Sequence, residues 1–105
     1  MSAYLLVNVD IKDNEKYKEY LKATPSIIKK FGGKFLVRGG DFEVYEGNWN
    51  PKRLVVVKFE SMQKAKQFYD SPEYNAVKEL RQSSAYTEWV FVEGLSTKIF
   101  NDLNS

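Results

Sequence analysis

A chain of 105 residues with a formal charge of +2, from 16 basic and 14 acidic side chains, is one small domain. It is of the size that buries only about 60–65% of its unfolded surface and gains from a partner chain. With no cysteine and no histidine, it has no disulfide, thiolate nucleophile, imidazole base, proximal haem ligand or His-containing zinc site, so neither a cofactor nor a metal is expected. Like charges never run longer than a pair such as Lys29-Lys30, and no apolar run approaches the roughly 18 residues of a membrane span, so no nucleic-acid or membrane partner is expected and a cytoplasmic location is the default.

Ala3 to Ile11 alternates as a strand, with Leu5, Val7, Val9 and Ile11 on one face and Tyr4, Leu6, Asn8 and Asp10 on the other. Asp13 caps a helix whose buried stripe runs through Tyr17, Tyr20, Leu21, Thr24, Ile27, Ile28 and Phe31 to a stop at Gly32-Gly33. Pro25 removes the hydrogen bond to Leu21 and is expected to kink or split this helix. A second strand is predicted from Lys34 to Arg38, with Gly39-Gly40-Asp41 as a bulge, resuming from Phe42 to Glu46.

Gly47 to Pro51 is a turn, and Arg53 to Glu60 a third strand. Ser61 opens a helix with Met62, Ala65, Phe68 and Tyr69 on one face. The run Asp70-Ser71-Pro72-Glu73 then ends it and starts another: Ser71 caps, proline suits the first turn because its missing N–H had no partner there, and Glu73 favours the positive end of the dipole. Tyr74, Val77, Leu80 and Arg81 mark the buried side of the new helix. Tyr86 to Glu93 is the last strand, with Trp89 and Phe91 opposite Tyr86, Val90 and Val92. The domain is placed at residues 1–95, and 96–105 is a C-terminal tail, docked or frayed.

The order is βαββαβ, an α+β, ferredoxin-like sandwich in which right-handed crossovers put both helical layers on one face of a four-stranded antiparallel sheet. The strands are apolar on both faces, unlike a sheet with one wet side. Tyr4, Leu6 and Val56 need a cover that one chain lacks, and a second copy supplies it, so a homodimer with the form of a dimeric α+β barrel is expected.

Several blocks carry a family resemblance: Tyr4-Leu5-Leu6-Val7, Gly32 to Gly40, Glu46-Gly47-Asn48-Trp49 with Pro51 and Arg53, and Phe68 to Tyr74 with Arg81. Together, over roughly Ala3 to Gly94, they resemble the domain of unknown function family 1330. The resemblance implies ferredoxin-like chains forming dimeric α+β barrels, and it implies no established reaction.

Arg81 is the first candidate for a ligand contact, because a permanent charge on the stripe of Tyr74 and Val77 is costly unless paired. It either anchors a carboxylate, enol or phosphate, or forms a structural ion pair with Glu46, Glu88 or Glu93. Arg38, before the double glycine, and Asn8, on the uncovered face, are further candidates, against plain roles in sheet coiling and in a satisfied amide. Tyr69, Ser71 and Tyr74 surround the helix corner as possible phenol donors and an anion-binding N-terminus, or simply as packing and a cap. Glu46, Trp49 and Arg53 are weaker candidates near the turn. Two functions remain open: a cofactor-independent binder or enzyme for a small, mainly apolar anionic or carbonyl compound, and a non-catalytic dimerisation or stress-related module. A catalytic pocket should show convergent polar groups in a cavity, whereas a structural module should have each arginine paired with a carboxylate.

Overall fold

In the computed structural model, which describes residues 1–105, the alternation at the N-terminus becomes strand β1, Ala3–Ile11, with Leu5, Val7 and Val9 buried and Leu6 41% exposed. Asp13 caps helix α1, Asn14–Lys30, by accepting from Lys16 N at 3.1 Å. Strands β2, Lys34–Arg38, and β3, Leu54–Phe59, follow. Helices α2, Met62–Asp70, and α3, Pro72–Gln82, are each started by a serine: Ser61 Oγ accepts from Lys64 N and Ser71 Oγ from Tyr74 N, both at 3.1 Å. Strand β4, Ala85–Glu93, closes the sheet, and helix α4, Thr97–Asn104, occupies the tail.

The sheet order is β2-β3-β1-β4 and every pairing is antiparallel, the ferredoxin-like arrangement of the βαββαβ order. In the β1–β4 register Val7 faces Trp89, Asn8 faces Glu88 and Val9 faces Thr87. The helices cover one face, where Leu5, Val9, Val57, Phe59, Phe68 and Tyr74 form the core. Each such side chain contributes about 1.5–3 kcal/mol by leaving water. Nothing in the chain covers the other face. Leu6, Tyr86, Val90 and Val92 are exposed there, Val90 by 58%. A groove of about 540 Å³ runs across that face between Leu6, Asn8, Trp49, Leu54, Val56 and Val90.

Pro25 does not split α1, which is continuous from Asn14 to Lys30. The Leu21 carbonyl that Pro25 leaves without an in-helix donor accepts instead from Arg38 Nη2 at 2.7 Å. The expected resumption of the second strand at Phe42 to Glu46 is also absent: residues 39–53 are irregular. Their alternation lacks a partner, because β2 and β3 pair Arg38 with Val55, and the residues ahead of Leu54 include Pro51, which has no N–H to donate. The bulge lies earlier than the double glycine, as a register shift between Phe35 and Val37. The tail forms a helix: Ser96 Oγ accepts from Ile99 N and caps α4, whose Ile99, Phe100 and Leu103 are exposed.

Candidate functional site

The chain contains three arginines, Arg38, Arg53 and Arg81, and the field of all three reaches one buried phenol, Tyr17. Arg53 and Thr87 flank Val9 on the two strands beside β1: the Val9 N–H donates to the Arg53 carbonyl at 2.8 Å, and Val9 pairs with Thr87. Arg81, from α3, donates through Nη1 to Thr87 Oγ1. Tyr17, buried on α1, is acted on by the guanidiniums of Arg53, Arg81 and Arg38. Burial raises the Tyr17 phenol above its ordinary value, and the three cations pull against that rise. The phenol therefore stays protonated at neutral pH, a donor beside fixed positive charge.

None of the three arginines is paired with a carboxylate. The ion pairs of the chain, Lys12–Asp10, Lys18–Glu15, Lys30–Glu73 and Lys98–Asp102, are all made by lysine. Arg81 is only 7% exposed, and it meets neutral groups instead. Its Nε donates to the Tyr74 hydroxyl at 3.0 Å, Nη1 reaches Thr87, and the guanidinium lies 4.8 Å from the Trp89 ring centre. The expected ion pair of Arg81 with Glu46, Glu88 or Glu93 is thus absent. Glu46 is on the exposed loop, and Glu88 points to the open face, where it accepts from Asn8.

The Tyr74 hydroxyl also lies 2.6 Å from that of Tyr20, making a buried chain from α1 through α3 to β4. Burial raises both phenols above the ordinary value. Tyr20 is pushed further by Tyr74, while Tyr20 and Arg81 partly offset the rise at Tyr74. This chain fixes the guanidinium of Arg81 and the edge of the site.

Beside it, between sheet and helices, is a chamber of about 40 Å³, lined by hydrophobic side chains including Leu21, Ile28, Phe35, Val57 and Trp89, with Arg38 and Arg53. At roughly 10–15 Å³ per water, it has room for about three waters or a group of that size. Arg38 lies 4.8 Å from the Phe35 ring centre. Arg53 is held against the turn after β2. Gly39 there has φ +76°, and a Cβ on it would lie 2.1 Å from Arg53 Nη1. Glycine at that position both permits the backbone conformation and leaves room for the guanidinium.

The other candidates divide. Tyr74 and Arg81 are bonded to each other, and Arg38 lies at the chamber. Tyr69 is half-buried among Tyr74, Trp89 and Phe91, with Lys78 Nζ 4.2 Å from its ring centre, and it does not line the chamber. Ser71 has both functions of its hydroxyl engaged, accepting from Tyr74 N and donating to Phe68 O at 2.7 Å, which is a cap. Asn8 is on the opposite face of the sheet: its amide donates to Glu88 Oε1 at 3.1 Å and accepts from Lys52 N at 2.9 Å. Trp49 shares that open face, so Trp49 and Arg53 do not stack on each other. Tyr17, Tyr20, Thr87 and Trp89 are the residues of this cluster that the sequence reading did not single out. The available signal was composition: arginine is used three times against thirteen lysines, and arginine suits desolvated, oriented sites better than lysine does.

The family model described as domain of unknown function (DUF1330) matches residues 2–95. No curated protein sequence matches the chain. Among solved structures, a protein of unknown function from Rhodopseudomonas palustris, RPA0582, aligns with a TM-score of 0.72 at 14% identity, covering 90% of this chain and 83% of that one. SnoaB, a cofactor-independent oxygenase from Streptomyces nogalater, aligns at 0.65 and 7% identity over 91% and 95% of the two chains. HapK from Hahella chejuensis aligns at 0.63 and 10% identity over 90% and 94%. At these identities the likeness is one of fold, the ferredoxin-like chain of the α+β-barrel type. No helix is long and apolar enough to cross a membrane.

Proposed function

The chain belongs to the DUF1330 family, and from that footing we propose that it works as a homodimer in which each chain binds a small, mainly apolar compound bearing an anionic or carbonyl oxygen, without a cofactor. The observation that carries this is the state of its arginines. Arg38 and Arg53 both line one chamber on the helix side of the sheet, and neither has a carboxylate partner. A purely structural module gains nothing from setting two cations that its own carboxylates leave unpaired into an apolar chamber lining. A ligand oxygen supplies the missing negative charge, and the apolar walls take the rest of the molecule. Tyr17, buried behind the chamber lining, keeps its proton and holds position through its neighbourhood of cations rather than by touching that oxygen. SnoaB, a cofactor-independent oxygenase on the same fold, is in keeping with chemistry that needs no resident metal or haem, and at its identity to this chain it supplies no reaction.

The dimer follows from the open face. Leu6, Tyr86, Val90 and Val92 lie exposed together on that face, and the packing of a second sheet would take them out of water. The test of the binding function is a thermal-shift panel of small aromatic and aliphatic acids and ketones against the wild-type protein. At least one compound raises Tm in a saturable way, whereas a panel with no member that shifts Tm removes the proposal.

A further inference from the structure

Resting on the binding function just proposed, we infer that the chamber takes a monocarboxylate with a short apolar body, its carboxylate seated on Arg53 and Arg38 and its body among Leu21, Ile28, Phe35 and Val57.

Arg53 Nε is the one buried side-chain nitrogen or oxygen in the chain with no hydrogen-bond partner. A buried donor left unsatisfied costs about 1–3 kcal/mol, and more when it is charged, so its retention calls for an acceptor. No aspartate or glutamate lines the chamber, so the chain itself offers no anion there. The guanidinium occupies the space that Gly39 leaves open, where a Cβ would run into Nη1, Cζ and Nη2. Arg38 is exposed, with one amino group anchored on Leu21 O, and its remaining donors are open to a second oxygen that would displace water there. Two guanidiniums in the lining of a mainly apolar chamber suit a planar, two-oxygen anion.

The walls limit the rest of the ligand. Nine of the twelve lining residues are hydrophobic and the space is about 40 Å³, so a second charged group would be stranded without donors and a polycyclic body would not fit. Arg81 does not serve a second carboxylate in the chamber, because it does not line it and its Nε and Nη1 are committed to Tyr74 and Thr87. Phosphate has the charge but no apolar body, and gains nothing from these walls.

Calorimetric titration of the full chain with acetate and propionate, with their uncharged amides, with the corresponding small ketones and with inorganic phosphate tests the assignment. The acids bind, and the amides and phosphate bind roughly tenfold or more weakly. Arg53→Met lowers acid affinity by roughly tenfold or more, while the Tm of the unliganded protein holds or rises, since a buried donor without an acceptor has been removed. Arg53→Lys keeps the charge but not the fork and recovers part of the affinity. Gly39→Ala, which adds no ligand contact, weakens the acids by displacing the guanidinium. Amides or ketones that bind as tightly as acids, with affinity unchanged in Arg53→Met, would overturn the carboxylate assignment and leave the chamber as a binding site. Preferential binding of phosphate, or a lowered Tm in unliganded Arg53→Met with no acid binding by the wild type, also overturns it. If no compound of any class binds, the binding function falls together with it.

Discussion

Arg38 and Pro25 meet through one carbonyl. Proline at position 25 has no N–H for the Leu21 oxygen four residues back, and Arg38 Nη2, arriving from the end of β2, donates to that oxygen at 2.7 Å. The helix runs on unbroken, and the arginine at the chamber edge is anchored by the defect that the proline creates. The relationship ties a helix irregularity to the position of a candidate ligand-binding cation.

This coupling is measurable in a double-mutant cycle. Arg38→Met is expected to cost about 0.5–1.5 kcal/mol in the Pro25 background, by stranding the Leu21 carbonyl. In a Pro25→Ala background the alanine N–H takes over that acceptor, and Arg38→Met costs less by a comparable amount. Urea unfolding of the four proteins gives the coupling directly, and equal costs in the two backgrounds would refute it.

Arg81→Met is expected to cost less than about 2 kcal/mol. A broken buried ion pair leaves a stranded carboxylate and costs roughly 3–5 kcal/mol, but the partners of Arg81 are neutral, and Tyr74 keeps Tyr20 as a hydrogen-bond partner. The methionine replaces a charge at 7% exposure with an apolar chain. Denaturant midpoints decide the matter. A loss at the upper figure would mean that a carboxylate reaches Arg81 in solution.

Leu6→Asp is expected to separate the homodimer. Leu6 stands at the centre of the open face, between Val56 on β3 and Val90 on β4 in the strand registers, where a second sheet would have to desolvate the new carboxylate. Sedimentation at micromolar concentration should give about twice the 12.2 kDa chain mass for wild type and the single-chain mass for the variant. A wild-type monomer, or a Leu6→Asp variant as dimeric and stable as wild type, contradicts the sheet-to-sheet assembly.

Alkaline pH is expected to destabilise the protein before any catalytic group is considered. Unfolded tyrosines ionise near pH ~10, whereas Tyr17, Tyr20 and Tyr74 hold their protons to higher pH, chiefly through burial. The folded state therefore binds more protons in that window. Stability is complete below about pH 10 and falls as pH rises above it. In Tyr20→Phe the fall should be shallower, because one of the three differences is gone. Denaturant midpoints across that range, followed with tyrosinate absorbance, test the slope, and identical slopes for wild type and Tyr20→Phe would contradict the assignment.

Neighbouring residues by themselves determined the strands, the caps and the two faces of this protein. Leu5, Val7 and Val9 alternate with Leu6 and Asn8, and Ser71, Pro72 and Glu73 make a helix corner, because pleat, helical pitch and capping act within a few residues and are written in local order. The same local logic failed at Pro25 and at Phe42 to Glu46. Whether a proline breaks a helix depends on who takes the freed carbonyl, and whether an alternating run becomes a strand depends on a neighbour with free N–H and C=O groups. Both are settled by distant residues, Arg38 in the first case and Pro51 in the second. The site lay still further from the reach of pattern. Arg38, Arg53 and Arg81 come from three separate elements or loops, and only the sheet order β2-β3-β1-β4, with α1 and α3 packed on one face, brings them to Tyr17 and leaves them without a carboxylate. Charge pairing is a property of tertiary neighbours, so the arginine count could suggest a site, but only the packed fold could say which charges went unanswered.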